Sequence, residues 1–354
     1  MRKTKFVLLV LILTGLVVGG CSNQGGTAAD NSPANPTFAE ASIEEGVQPT
    51  ATNTVMSAPV LPTSTYAPIV VATPSPTEQE KPFDPASLLD CGEVFCLAEW
   101  PGFLDRPFAV EDLWTIDPTY PYAHTKGGTL EAHRGVEFLN RFGTPVLAAA
   151  DGEVVYVGDD ELTVLGPYTH FYGNLVMLRH PGLFFGKDLF TVYAHLSVID
   201  TAEGALVSAG EKLGEVGATG AADGPHLHFE VRLATNGYDH TYNPILWFAP
   251  THPDQNNEAG SALAGSITDR YGDPVPEYDF VLEALDPKGG VIKRYYPKTY
   301  VIAKLNTYPN LEENFVVPDL PPGTYRLTYI AGALHEVYFT LEPGALGWVS
   351  IQFD

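Results

Sequence analysis

The sequence predicts a mostly β protein in which one antiparallel-sheet module is followed by a second β module. Three observations predict it. Apolar and polar residues alternate over short stretches, as in Leu227-His228-Phe229-Glu230-Val231, which is the period of a strand. No long stretch carries the 3.6-residue period of an amphipathic helix. Glycine and proline number 34 and 30 in 354 residues, which supplies the turns that a chain of short strands needs.

Residues 1–20 form a targeting segment. Arg2, Lys3 and Lys5 precede an apolar run from Phe6 to Val18 that is too short and wrongly flanked for a stable membrane span. Val18-Gly19-Gly20-Cys21 resembles the lipobox of bacterial lipoproteins. That resemblance implies cleavage before Cys21 and acyl chains on it, anchoring the protein to a membrane outside the cytoplasm. The plain alternative is a secretory signal with a chance cysteine. Residues 21–82 are rich in Pro, Thr, Ser, Ala and Asn without a sustained period, and are expected to be a disordered tether. About 60 residues reach roughly 200 Å at full extension. The net charge of -24 argues against nucleic acid as a partner, since phosphate binding needs clustered Lys and Arg. It also argues against simple electrostatic adhesion to anionic lipid.

Residues 83–129 are expected to be a lead-in that packs on the next domain through Trp100, Phe103, Phe108, Trp114, Tyr120 and Tyr122. Apart from Cys21, only Cys91 and Cys96 remain. An exported compartment permits a disulfide between them, and no second pair is present to complete a zinc site.

Residues 130–250 are the informative region. Val146 to Val157 reads as strand, tight turn and strand, with Asp151-Gly152 at the turn. Asn174 to Arg179 and Phe190 to His195 read as two more strands, joined by residues 181–188. Val207 to Val216 contains a turn at Gly210-Glu211. In Gly224-Pro225-His226-Leu227-His228-Phe229-Glu230-Val231 the two histidines share one strand face, with Cα atoms roughly 6.8 Å apart. They can serve one metal together, or one can bind metal while the other handles a proton. An incidental surface pair is the plain alternative. His133 and Glu137 would lie roughly 13 Å apart on a straight strand, too far for one ion, and Gly135 offers a bend. His195 ends an apolar strand, where a histidine satisfied within the core is the plain reading.

Taken in order, His133-Arg134-Gly135-Val136-Glu137, Gly143-Thr144-Pro145-Val146 with Asp151-Gly152, Tyr193-Ala194-His195-Leu196-Ser197 and Gly224 to Val231 resemble the lysostaphin-type zinc metalloendopeptidases, which cut peptides in bacterial peptidoglycan. Gly173-Asn174 and Asn243-Pro244 fit as well, and the resemblance covers roughly Leu130 to Trp247. It implies zinc held by His133, Glu137 and His228, with His195 and His226 acting on the attacking water and the developing oxyanion. Two imidazoles and a carboxylate leave an open zinc position. The family's usual acid at the second ligand position is Asp. Glu137 is one methylene longer, which shifts the carboxylate by about 1.5 Å unless the backbone adjusts. Relatives that have lost ligands bind the wall or activate other wall hydrolases, so a catalytically inactive binding lipoprotein is the alternative function.

Residues 251–261 read as a polar linker. In residues 262–354, Gly265 to Pro276 and Val317 to Leu327 resemble a carboxypeptidase regulatory-like, transthyretin-like β-sandwich. His335 is its one histidine, so no catalytic constellation is expected there. The resemblances together imply a lipid-anchored zinc endopeptidase of the cell envelope. Its partners would be peptidoglycan peptides and, in the regulatory case, other wall hydrolases.

Overall fold

The computed structural model describes residues 94–99, 102–113, 115–250, 260–301 and 305–354. Cys21, Cys91, Trp100 and Trp114 lie outside them, as do residues 1–82. Eighteen strands follow in chain order, and the helical content among the described residues is two short 3-10 turns. The first eleven strands are β1 (Phe95–Glu99), β2 (Val136–Phe138), β3 (Pro145–Leu147), β4 (Gly152–Gly158), β5 (Leu175–Phe184), β6 (Lys187–Ala194), β7 (Leu196–Ile199), β8 (Leu206–Val207), β9 (Lys212–Val216), β10 (Leu227–Leu233) and β11 (Thr241–Tyr242). The last seven are β12 (Ser261–Thr268), β13 (Val281–Leu285), β14 (Val291–Tyr295), β15 (Phe315–Leu320), β16 (Gly323–Ala331), β17 (Ala333–Leu341) and β18 (Ala345–Gln352).

A seven-stranded sheet runs β11-β10-β6-β5-β4-β8, with β2 also paired to β10. A three-stranded sheet, β3-β9-β7, lies beside it. β10 is buried along its whole length, so even its charged residues must find partners within the protein. β5 and β6 are longer than residues 174–179 and 190–195. Phe184 pairs with Lys187, and Phe185 and Gly186 both have positive φ, 48° and 83°. A two-residue turn of that kind matches the twist of a hairpin, so residues 181–188 are strand and turn rather than a connecting loop. The stretch from Val146 to Val157 is not a hairpin. β3 pairs with β9 while β4 pairs with β5 and β8. Between them, Ala148 N bonds Glu211 O and Asp151 Oδ1 accepts Ala209 N, which carries the chain from one sheet to the other.

The C-terminal strands form two four-stranded sheets, β1-β18-β12-β15 and β14-β13-β16-β17. Leu263, Phe315, Tyr325, Leu327, Phe339 and Val349 belong to one apolar cluster supplied by both sheets. The lead-in divides between the two regions instead of packing only on the first. β1 pairs antiparallel with β18, and Phe95 stacks on Phe339 at 4.4 Å. Leu104 bridges to Phe248, and Phe103 N bonds Trp247 O. A second apolar cluster is shared across the chain: Val136, Phe229, Trp247 and Phe248 join Ala262, Tyr300, Tyr308, Leu346 and Trp348. Burial of aromatic surface on this scale makes the two regions one packed body.

Candidate active site

β10 and β2 build the floor of the site. His228 lies directly opposite Glu137 in their antiparallel ladder. His133 enters from the irregular stretch before β2, where Ala123 N bonds His133 O and His133 N bonds His124 O. Gly135 serves close approach rather than a bend. A Cβ built there would sit 2.6 Å from His228 Cε1 and 2.6 Å from Phe229 O, so only glycine lets this backbone lie against the imidazole. The Glu137 carboxylate and the His133 ring are thereby brought together: His133 Nε2 is 2.9 Å from Glu137 Oε1. His228 Nδ1 is 3.1 Å from the same oxygen and 3.3 Å from His133 Nε2. Ligand atoms at tetrahedral angles, about 2.0–2.1 Å from one zinc, would be separated by about 3.3 Å. The three residues, all buried, fit such an ion, and Glu137 Oε2 is a buried oxygen without a hydrogen-bond partner.

Three imidazoles around this triangle have one ring proton placed by a backbone carbonyl. A carbonyl oxygen only accepts, so a ring nitrogen bonded to one carries hydrogen, and in the neutral ring the other nitrogen is a lone pair. His133 Nδ1 donates to Tyr120 O at 2.7 Å. His195 Nδ1 donates to Thr219 O, and His226 Nδ1 to Gly224 O, each at 2.8 Å. His228 has a carboxylate at each nitrogen, Glu230 Oε1 3.1 Å from Nε2 and Glu137 Oε1 3.1 Å from Nδ1; burial lowers its pKa, but Glu137 and Glu230 outweigh burial and raise it to about 10, so a metal at Nδ1 would displace a proton. Three carbonyl acceptors thus fix the Nδ1 protons of His133, His195 and His226 and leave their Nε2 atoms free of the backbone.

Glu230 is itself held. Tyr172 donates to its Oε1 at 2.6 Å, and Arg232 Nε bonds Oε2 at 2.9 Å. Burial opposes ionisation of Glu230, but the Arg232 guanidinium and His228 outweigh it and bring its pKa down to about 2. At Glu137 burial likewise opposes ionisation, and His228 and His133 hold the carboxyl well below its ordinary range. Burial, reinforced by the neighbouring His228, pushes His195 down to about 3, so it is neutral throughout the physiological range. His195 has φ 64° at the junction of β6 and β7, a strained conformation for a residue with a side chain. It faces His226 with ring centroids 4.7 Å apart, and His226 Nε2 lies 3.2 Å from Glu137 Oε2.

These groups open into a groove of about 830 Å³ whose lining includes Tyr120, Lys126, Arg134, Phe171, Asp223 and Tyr238. Tyr120 stacks on His133 with centroids 4.1 Å apart, and Arg134 lies over the Tyr238 ring at 4.8 Å. Residues 131–243 match Peptidase family M23. The chain carries an M23 peptidase domain.

The chain is 39% identical over 132 residues to the DD-carboxypeptidase/endopeptidase Mpg of Neisseria meningitidis serogroup B, covering 37% of this chain and 25% of that protein. It is 40% identical over 107 residues to the cell division protein DipM of Caulobacter vibrioides, covering 30% of this chain and 15% of that one. The catalytic domain of the antimicrobial peptidase lysostaphin from Staphylococcus simulans is 30% identical, with 35% of this chain and 83% of that chain covered and a TM-score of 0.29. The chain thus spans a quarter or less of the length of these two curated relatives.

All five expected site residues of the M23 domain meet in the groove. Cys96 is disulfide-bonded, and Cys91, its expected partner, lies outside the described residues, as does Cys21. The sequence reading missed Glu230, Arg232 and Tyr172. The signal for two of them was present: Glu230 and Arg232 follow His228 at steps of two, and so share its face on a strand too buried to leave charges idle.

Proposed function

We propose that the chain is a zinc-dependent endopeptidase that hydrolyses peptide bonds in bacterial peptidoglycan. The observation that carries the reading is the convergence of His133 Nε2, His228 Nδ1 and the Glu137 carboxylate on one point at the base of a peptide-sized groove. His133 Nε2, His228 Nδ1 and Glu137 Oε1 would hold the zinc. Zinc held by these groups supplies Lewis acidity toward the scissile carbonyl and acidifies a water molecule. His195, neutral and with its Nδ1–H fixed on Thr219 O, presents Nε2 as an acceptor that orients the water and takes its proton. His226, more exposed and beside Glu137 Oε2, would act in its protonated form, its Nε2–H steadying the oxyanion and passing to the leaving amine, while the proton taken by His195 goes to solvent. Tyr238, Tyr120 and Phe171 supply apolar wall for the peptide backbone.

Peptidoglycan is the substrate class of similar proteins named DD-endopeptidases, such as ShyA of Vibrio cholerae, 36% identical over 128 residues. Lipid on Cys21 and a tether over residues 21–82 would keep the domain within reach of the wall from a membrane surface. A disulfide between Cys91 and Cys96 would close the lead-in. The test uses the full chain in detergent: zinc is counted by plasma mass spectrometry, and digested peptidoglycan is analysed by mass spectrometry. One zinc per chain and newly cut cross-link peptides are expected. A zinc-loaded chain that releases no peptide products refutes the enzyme.

A further inference from the structure

Behind the groove, the chain between β14 and β15 crosses from the C-terminal sheets to the back of the M23 domain. Tyr308 lies on Trp247 and Phe184, with ring centroids 4.9 and 5.7 Å away. The Glu313 carboxylate accepts Tyr308 N with both oxygens. Val301 N bonds Ala123 O, and Ala123 N in turn bonds His133 O. Asn306 Nδ2 donates to Asp239 O at 2.8 Å and Thr241 O at 2.9 Å, while Tyr122 OH donates to Thr241 O and Asn306 O.

Those two carbonyls lie in and just after a weak spot. Tyr238–His240 is a single 3-10 turn with no side-chain cap and no buried residue; its packing is limited to the partly buried Tyr238 ring against Phe171 and the Tyr172 cluster. It nevertheless carries Tyr238, a wall of the groove. Beside Thr241, whose Oγ1 donates to Tyr238 O, two more distant side chains hold it: Arg134, bonded to Tyr238 O and stacked on the ring, and Asn306, reaching from the C-terminal region.

We propose that Asn306 is a positioning residue for substrate binding, through which the C-terminal region sets the Tyr238 wall of the groove. The proposal rests on the peptidase reading and extends it: the C-terminal strands are part of the binding apparatus rather than a spacer. Asn306 touches no reacting group and lies outside the imidazole cluster, so its influence falls on how tightly the peptide is held.

The test compares the zinc-loaded full chain with Asn306→Ala and Asn306→Asp, using a soluble cross-linked muropeptide dimer as substrate. Losing two donors that bridge the turn should raise KM about tenfold, with kcat, zinc content and Tm near the parent's. Asn306→Asp keeps the size and removes the donors, so it should match Asn306→Ala. Parental KM in Asn306→Asp overturns the proposal, as does a joint fall of kcat, zinc content and Tm, which would mark general structural damage. Amide exchange over residues 236–242 should be faster in both variants, and unchanged exchange also overturns the proposal. If the parent itself cleaves nothing, the peptidase reading fails, and exchange alone decides whether Asn306 braces the turn.

Discussion

Gly135→Ala probes the closest packing in the site. The added Cβ would stand 2.6 Å from His228 Cε1, 2.8 Å from His228 Nε2 and 2.6 Å from Phe229 O. Ordinary carbon contacts lie at about 3.5–4.0 Å, so roughly 1 Å of movement is demanded. Phe229 O belongs to a strand paired on both sides, and the His228 ring is tied to Glu230. The movement therefore falls on the His228 ring, a proposed zinc ligand, or on the β2–β10 ladder. A ligand set tolerates about 0.5 Å of error, and a 1 Å displacement of a working group is worth about a hundredfold. Zinc affinity, read by chelator competition, should fall by about that factor. Overpacking should also lower stability by about 1–3 kcal/mol, read by denaturant unfolding without zinc. Gly224→Ala is the control, because an added Cβ there meets nothing within 4 Å. If Gly135→Ala binds zinc within threefold of the parent, the close-approach reasoning is wrong.

Glu230→Gln removes the charge that orients His228 and leaves Arg232 buried without its carboxylate. Zinc affinity should fall about 10–100-fold and stability by about 3–5 kcal/mol; parental affinity would show that His228 needs no such partner. His195→Ala should keep its zinc and lose at least about a hundredfold in turnover, whereas Glu137→Gln should lose metal first, and a full zinc count in Glu137→Gln would remove that residue from the ligand set. Burial raises Glu313 to about 8. Its unfolded form ionises near the ordinary glutamate value while the folded form stays protonated, so this residue's contribution to stability is fully present at acid pH and is lost as pH climbs from about 4.5 to 8. Glu313→Gln should flatten the fall of Tm with pH across that window, and an unaltered slope would place the titration elsewhere.

Strand alternation and motif order made the site legible because its parts are local. His226 and His228 sit two apart on one strand, and their shared face follows from the pleat alone. His195 was legible as a candidate through its neighbours Tyr193 to Ser197, although its left-handed backbone was not, since strain depends on what surrounds a residue. Long-range pairing was the opaque part. Nothing near Phe95 announces a partner at Val349, and Cys96 drew attention to chemistry rather than to a strand. Asp151-Gly152 has the composition of a hairpin turn, yet β3 and β4 enter different sheets because Gly214 and Arg179 happen to lie opposite them. Tyr172 reaches Glu230 from 58 residues away, a distance at which sequence pattern carries no geometric information. The linker composition of residues 251–261 suggested independent halves, but Trp247, Tyr300 and Tyr308 belong to one buried cluster.

The pairing of β1 with β18 has a consequence for how the molecule is made. Phe95 leaves the ribosome long before Val349, its ladder partner. With roughly 250 residues between them, synthesis at about 5–20 residues per second leaves that strand unpaired for roughly 12–50 s. β12, which runs parallel to β18 along seven residue pairs, waits for the same strand. β18 thus seats two strands translated well before it, and a chain stalled or clipped before Ala345 keeps both edges open. Synthesis through β18 is written into the sheet order, and proteases would find a copy lacking it at those two strands.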